Sequence, residues 1–146
     1  MKKQLKSIGI IKTPYNTLSD CPDNISDEGP MCEIIVKKEY EAGLLGLNKN
    51  TGIMVLYWLD KYENTKSDLQ VLSHADIENL RGVFSLRTPK RPNPIGVAIV
   101  NIIEIDENSI FVKGLDCLND TTLIDIKPAI YQELKEEISE KKPDNK

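Results

Sequence analysis

Residues 53–59 read Ile-Met-Val-Leu-Tyr-Trp-Leu, the longest apolar run in the chain. A run this short falls far below the roughly 20 residues that a membrane-crossing helix needs. Both of its alternating faces are apolar, the pattern of a strand with neighbours on either side. Shorter runs of the same kind lie around it. Residues 7–12 (SIGIIK) and 32–37 (CEIIVK) read as strands, as do residues 82–86 (GVFSL). Residues 97–105 and 109–114 form a hairpin about Asp106, Glu107 and Asn108, and residues 123–126 are a last strand stopped by Pro128. Helical signals are sparse. Residues 39–47 allow one or two helical turns, their length limited by Gly43 and Gly46, and residues 73–80 suit a short helix or turn. Many short strands and few helices predict an all-β or β-rich fold, a single compact β-barrel with short helices. Strands do not alternate with long helices, which argues against a doubly wound sheet.

The chain's 146 residues fit one domain and bury about two-thirds of the unfolded surface without staples. Residues 1–130 are expected to form the barrel, and residues 131–146 a charged C-terminal helix or tail. The charged start, residues 1–6, is followed by no secretory apolar core, so a cytoplasmic, non-membrane protein is expected. Cys21, Cys32 and Cys117 are odd in number and include no Cys-x-x-Cys, which points away from a disulfide framework or structural zinc. With His74 as the lone histidine, no metal site is expected, and a histidine-based triad has little to build on.

Net charge is −4, so the chain has no basic coat for nucleic acid. Its arginines, Arg81, Arg87 and Arg91, nevertheless all fall in one short segment, with Lys90 between the last two. The reading is a local cationic site on an acidic protein. That segment continues as residues 87–96, Arg-Thr-Pro-Lys-Arg-Pro-Asn-Pro-Ile-Gly. Pro89, Pro92 and Pro94 fix φ and remove backbone donors, so the stretch is a stiff loop, set before any ligand arrives. Arg87 and Arg91 bring guanidinium forks to this frame, suited to a carboxylate or phosphate, and Asn93 adds an amide. A second polar segment runs from Asp116 through the Asn119-Asp120 turn to Asp125. Asn and Asp populate turns by capping local backbone groups, which accounts for Asp120 taken alone. Asp125 either orients a ligand or pairs with Lys127 at the surface. Tyr57 and Trp58 read as core, whereas Tyr15 in the long loop 15–31 and Tyr131 are freer to meet a ligand. Neither a Gly-x-x-x-x-Gly-Lys nor a Gly-x-Gly-x-x-Gly motif is present.

At residues 82–97 the chain resembles the TrmO family, also called TsaA-like, whose pattern there is close to G-V-F-A-T-R-S-P-x-R-P-N-P-I-G-L. Residues 116–129 are similar to that family's D-L-L-D-G-T-P-V-V-D-I-K-P-Y, and residues 8–15 to its I-G-x-I-x-S-P-Y. Residues 39–47 and 55–59 match E-Y-x-x-G-L-x-G-L ahead of V-L-Y-W-L. The chain departs from the pattern at Asn119, Asp120 and Thr122, in place of Asp, Gly and Pro. It departs again at Ala129, in place of the tyrosine, and at Asn50-Thr51-Gly52, in place of Phe-Ser-His.

The resemblance implies a dimeric β-barrel that binds S-adenosylmethionine and methylates N6 of threonylcarbamoyl-adenosine at position 37 of a tRNA. By position it assigns the cofactor to Pro22, Asp23 and Asn24; to Asp60 and Lys61; to Arg87 and Val97; and to Leu118, Asn119, Asp120 and Thr121. Lys90, Arg91 and Asn93 are then expected to meet the anticodon loop or the threonyl carboxylate. A urea-like N6–H is a weak nucleophile, and Asp116 and Tyr131 are the candidates for removing its proton. The departures keep two other readings open. One is a methyltransferase of a small carboxylated or metal-chelating molecule, and the other is a barrel that binds the cofactor without turnover.

Overall fold

A computed structural model describes residues 2–73 and 75–130. The expectations for Tyr131, His74 and the segment 131–146 lie outside the described residues. The strands are β1 (Gly9–Lys12), β2 (Met31–Val36), β3 (Gly52–Trp58), β4 (Gln70–Val71) and β5 (Arg81–Gly82), followed by β6 (Ile95–Asn101), β7 (Glu104–Asp106), β8 (Ser109–Lys113) and β9 (Thr121–Pro128). Seven of them form one sheet in the order β6-β3-β9-β1-β2-β8-β7, and β4 pairs with β5 in a separate two-stranded arm. Every described pairing in the large sheet is antiparallel.

Alternation decides which side is dry. Ile11, Ile34, Ile53, Val55, Ile110, Val112 and Leu123 face one side and are fully buried. β3 lies between β6 and β9 as the run at 53–59 predicts. Its second face, Met54, Leu56 and Trp58, is only half-buried, so one side of the sheet carries the core. β6 stands at one edge of the sheet yet touches β8 near the other. Strands lie about 4.8 Å apart, so a flat sheet of this order keeps those two far from contact. The sheet is therefore strongly curled. The described ladder ends at β6 on one side and β7 on the other, and no registered pairing joins these two edges.

The curl also divides the single strand expected over 97–105. At Ile102 the chain leaves the β3 ladder: its N–H donates to the Thr51 carbonyl (2.9 Å) and its carbonyl accepts from Asn50 (2.7 Å). Ile103 then donates to Phe111 of the β8 ladder (2.8 Å). One chain segment thus serves both edges. The hairpin that follows turns on Glu107 and Asn108, with Glu107 at φ 54. The strand expected over 82–86 is not formed. Only Gly82 pairs, and Val83–Ser85 curl into a 3₁₀ turn held by Ser85 Oγ donating to the Gly82 carbonyl (2.7 Å). Val83 goes into the interior and donates its N–H to the Leu69 carbonyl (2.9 Å), where the short ladder with β4 gives out, and Phe84 is 78% exposed. Residues 75–80 form a turn in which the Asp76 carboxylate accepts from Asn79 N–H (3.1 Å) and Arg81 (3.2 Å). Further 3₁₀ turns stand at Leu18–Asp20, Lys38–Leu44 and Asp60–Tyr62.

The long loop between β1 and β2 is docked rather than free. Ser26 N–H donates to the Gly114 carbonyl (3.0 Å) and Gly114 N–H to the Pro30 carbonyl (2.9 Å). At the top of β9, Ile124 is an extra residue: Leu56 pairs with Asp125 but Tyr57 with Leu123. Such a bulge bends the strand and re-aims what precedes it. It sits beside a large cavity.

Candidate active site

That cavity has a volume of about 980 Å³ and lies where four irregular segments meet the ends of β3 and β6. Its walls are half apolar, from Leu18, Leu59, Ile95 and Leu118, and half polar. Sites for cofactor-sized ligands have this mixture and this volume, ~300–1,000 Å³.

The long loop contributes Pro22, Asp23 and Asn24. The 3₁₀ turn after β3 contributes Asp60 and Lys61, and the proline loop contributes Arg87, Pro89 and Arg91. β6 adds Val97, and the segment before β9 adds Asp116, Leu118, Asn119, Asp120 and Thr121. Every cofactor position named from sequence therefore opens onto one space, together with Asp116 and Arg91. Lys90 and Asn93 do not line it; both are exposed. Asp125 is not in the cavity either. Its carboxylate pairs with Lys127 (3.0 Å) at the surface.

Several of these side chains are already engaged. The Asp60 carboxylate accepts from Thr122 N–H (3.1 Å) and Thr122 Oγ1 (2.9 Å), tying the turn after β3 to the first residues of β9. Proline, the residue of the motif at this position, has no N–H to offer, so this clamp depends on the departure at Thr122. Asp60→Ala is expected to destabilise the protein by about 1 kcal/mol per hydrogen bond lost; thermal melts read the loss, and Asp60→Asn, which keeps an acceptor, recovers part of it. Asn119 Oδ1 accepts from Thr13 N–H (3.1 Å), and Asp120, at φ 67, forms an ion pair with Lys12. The Asn119-Asp120 turn is thus braced by β1, and capping chemistry explains its geometry.

Arg91 differs from its expected role of reaching outward. Its Nη1 donates to the carbonyls of Leu86 (2.9 Å) and Thr88 (3.1 Å), closing the proline loop on itself. A stiff loop with three prolines has few backbone donors for these carbonyls, and the guanidinium supplies them. Arg91→Ala is expected to lower stability by about 1–2 kcal/mol in a melt. Arg91→Lys recovers little of this, since one ammonium cannot reproduce the planar fork. Arg87 Nη1 donates to the Val97 carbonyl (3.3 Å), which holds the guanidinium over β6.

Asp116 is a half-buried carboxylic acid in the cavity wall. Burial pushes its carboxyl above the usual carboxylate range, opposed by a hydrogen bond from Tyr57 and by the charge of Arg87. The Tyr57 hydroxyl donates to Asp116 Oδ1 at 3.2 Å. Burial raises the Tyr57 phenol, and the Asp116 charge raises it further. Tyr57 belongs to the core, as its place in β3 predicts, and it also reaches the cavity with its hydroxyl. Its inward position next to a polar segment was the signal: a buried phenol needs a hydrogen-bond partner. Cys117 and Cys21 line the cavity as well, and burial pushes the Cys117 thiol up to about 12, so it is inert at neutral pH.

A curled antiparallel sheet with one large ligand cavity, closed by a proline-braced arginine loop and an acidic turn, defines the class of fold and site. Residues 10–133 match the family described as the tRNA-methyltransferase O N-terminal domain, and the chain belongs to that family. It is 42% identical over 121 residues to a probable S-adenosyl-L-methionine-binding protein, VirR, of Rhizobium radiobacter, an overlap covering 83% of this chain and 67% of the relative. It is 30% identical over 92 residues to a human tRNA (adenine(37)-N6)-methyltransferase, covering 63% of this chain and 21% of the human protein. The fold superposes on the crystal structure of TrmO from Pseudomonas aeruginosa with a TM-score of 0.70 at 21% identity, over 89% of this chain and 56% of that one. The likeness to the solved structure is thus one of fold, and the chain spans little more than half of that protein.

Proposed function

We propose that this chain is an S-adenosylmethionine-dependent methyltransferase whose acceptor is N6 of threonylcarbamoyl-adenosine at position 37 of a tRNA. The observation that carries the reading is the single cavity into which Arg87, Asp60 and the Asn119-Asp120 turn all open, although they come from distant parts of the sequence. The donor set fits the cofactor. Arg87 and Lys61 match a carboxylate, Asp23, Asp60 and Asp120 match ammonium and hydroxyl groups, and the apolar walls match a flat base. When bound, S-adenosylmethionine supplies an activated methyl group on a sulfonium that leaves as a neutral thioether.

The chain's own work is then mostly placement. Walls preset by prolines and by the Asp60–Thr122 clamp hold the acceptor in line, which supplies much of the rate. Asp116 receives the proton that N6 releases as it takes the methyl group. Its raised carboxyl pKa suits a base that must hold that proton. Lys90 and Asn93, both exposed, meet the anticodon loop, and Arg91 shapes the loop that presents them. Tyr131 remains a second candidate base on sequence grounds. The protein works as a cytoplasmic homodimer with the sheet closed as a barrel, and two subunits together supply the basic surface that one acidic chain lacks.

Calorimetry with S-adenosylmethionine and mass spectrometry of tRNA nucleosides test this in two stages. No heat of binding at millimolar cofactor removes the methyltransferase reading. Binding, but unchanged methylated threonylcarbamoyl-adenosine in tRNA from a deletion strain, moves the acceptor to another molecule.

A further inference from the structure

We propose that Tyr57 is a positioning residue for Asp116: its hydroxyl holds the carboxylate towards the cavity, and its ring is seated in the slot that Gly96 leaves open. The inference deepens the methyltransferase reading above and rests on it for the role of Asp116.

Asp116 lies on an irregular segment between Gly114 and β9, where no strand ladder orients its side chain. Its carboxylate takes a hydrogen bond from another side chain at Tyr57 (3.2 Å), beside the one from its own backbone N–H. Tyr57 itself has little freedom. It is buried in β3, its backbone is registered between Gly96 of β6 and Leu123 of β9, and the Ile124 bulge falls at its side. A Cβ on Gly96 would overlap Cε2, Cδ2 and Cζ of the ring, so only glycine admits the phenol at this height. The same strand returns to the site one residue later, because the Val97 carbonyl holds Arg87 (3.3 Å). β3 and β6 therefore hold the two groups that act on one carboxylate, the hydroxyl donor and the guanidinium.

The groups whose charge Asp116 feels or affects are Tyr57 on β3, Arg87 on the proline loop, Tyr15 and Cys21 on the long loop, and Cys117 next in sequence. Arg87 acts on Asp116 through its charge, while Tyr57 donates a directional bond as well. A directional bond fixes which carboxylate oxygen faces the phenol and leaves the other for the acceptor's proton.

The test compares wild type, Tyr57→Phe, and protein carrying 3-fluorotyrosine at position 57, whose more acidic phenol is a stronger donor. Each is labelled with ¹³C at aspartate carboxyls and titrated by NMR. Each is also assayed for kcat/KM against pH with S-adenosylmethionine and tRNA bearing threonylcarbamoyl-adenosine. Tyr57→Phe is expected to move the Asp116 titration and the acidic limb of kcat/KM together to higher pH. Its plateau kcat/KM falls roughly tenfold. The fluorinated protein, which keeps every packing contact, moves both to lower pH. An Asp116 titration that is identical in all three proteins overturns the inference, even if stability changes. A titration that shifts as expected while the wild type methylates no tRNA at any pH refutes the methyltransferase reading and leaves the Tyr57–Asp116 coupling standing.

Discussion

Asp116→Asn is expected to lower kcat by about 10²–10⁴-fold, the usual span for a lost general base, while raising the melting temperature at pH 7. The two effects have one cause. Burial holds the folded-state pKa of Asp116 above that of the unfolded chain. As pH rises through the unfolded value of about 4, the unfolded state therefore loses its proton first. Stability falls from there until the folded-state pKa is passed, and the cost persists at neutral pH. Asparagine removes the charge and keeps an oxygen for the Tyr57 hydroxyl, so the cost disappears. The melting curves of the two proteins should converge as pH is lowered towards 4. A catalytic loss with a lower melting temperature at pH 7 would instead show Asp116 to be a structural residue. In the wild type, activity should rise with pH along a single limb, because only the ionised carboxylate can take a proton.

Gly114→Ala is expected to weaken cofactor binding by at least tenfold, read by calorimetry, while most of the sheet stays folded. Gly114 sits at φ 77, where a side chain is strained, and an added Cβ would be driven into the Ser26 carbonyl. The obstacle is backbone on both sides, so no rotamer change relieves it. The cheaper response is for the loop around Ser26 to lift away, giving up the hydrogen bonds between Ser26 and Gly114 and between Gly114 and Pro30. That loop carries Pro22, Asp23 and Asn24, one wall of the cavity. Its loss costs binding more than global stability, since its residues are largely exposed. Unchanged affinity in this variant would mean that the long loop is not part of the cofactor site.

Period-two alternation was sufficient for β1, β2, β3 and the β7–β8 hairpin, because each strand has one face in the core and a slip of one residue would expose it. Alternation misled at residues 82–86, where Val83 alone is buried and the two-residue ladder with β4 has already ended. It also could not show that residues 97–105 divide at Ile102, since both halves are strand and only the curl of the sheet separates their partners. Three prolines were enough to predict a preset loop, but not that Arg91 spends Nη1 on that loop's own carbonyls. Tyr57 looked like core and is core. Its second task appears only when Asp116, far along the chain, arrives within hydrogen-bond distance.

The amino-acid sequence by itself determined a β-rich fold, a rigid arginine-bearing loop, an acidic turn and the family to which they belong. These are local properties, carried by side-chain period, proline stereochemistry and motif spacing. Tertiary structure alone decided that the loop, the turn and the end of β3 enclose one cavity, and which of their polar groups remain free to act there. Both depend on how far the sheet curls and where β9 bulges, and those follow from long-range pairing that no short stretch of sequence contains.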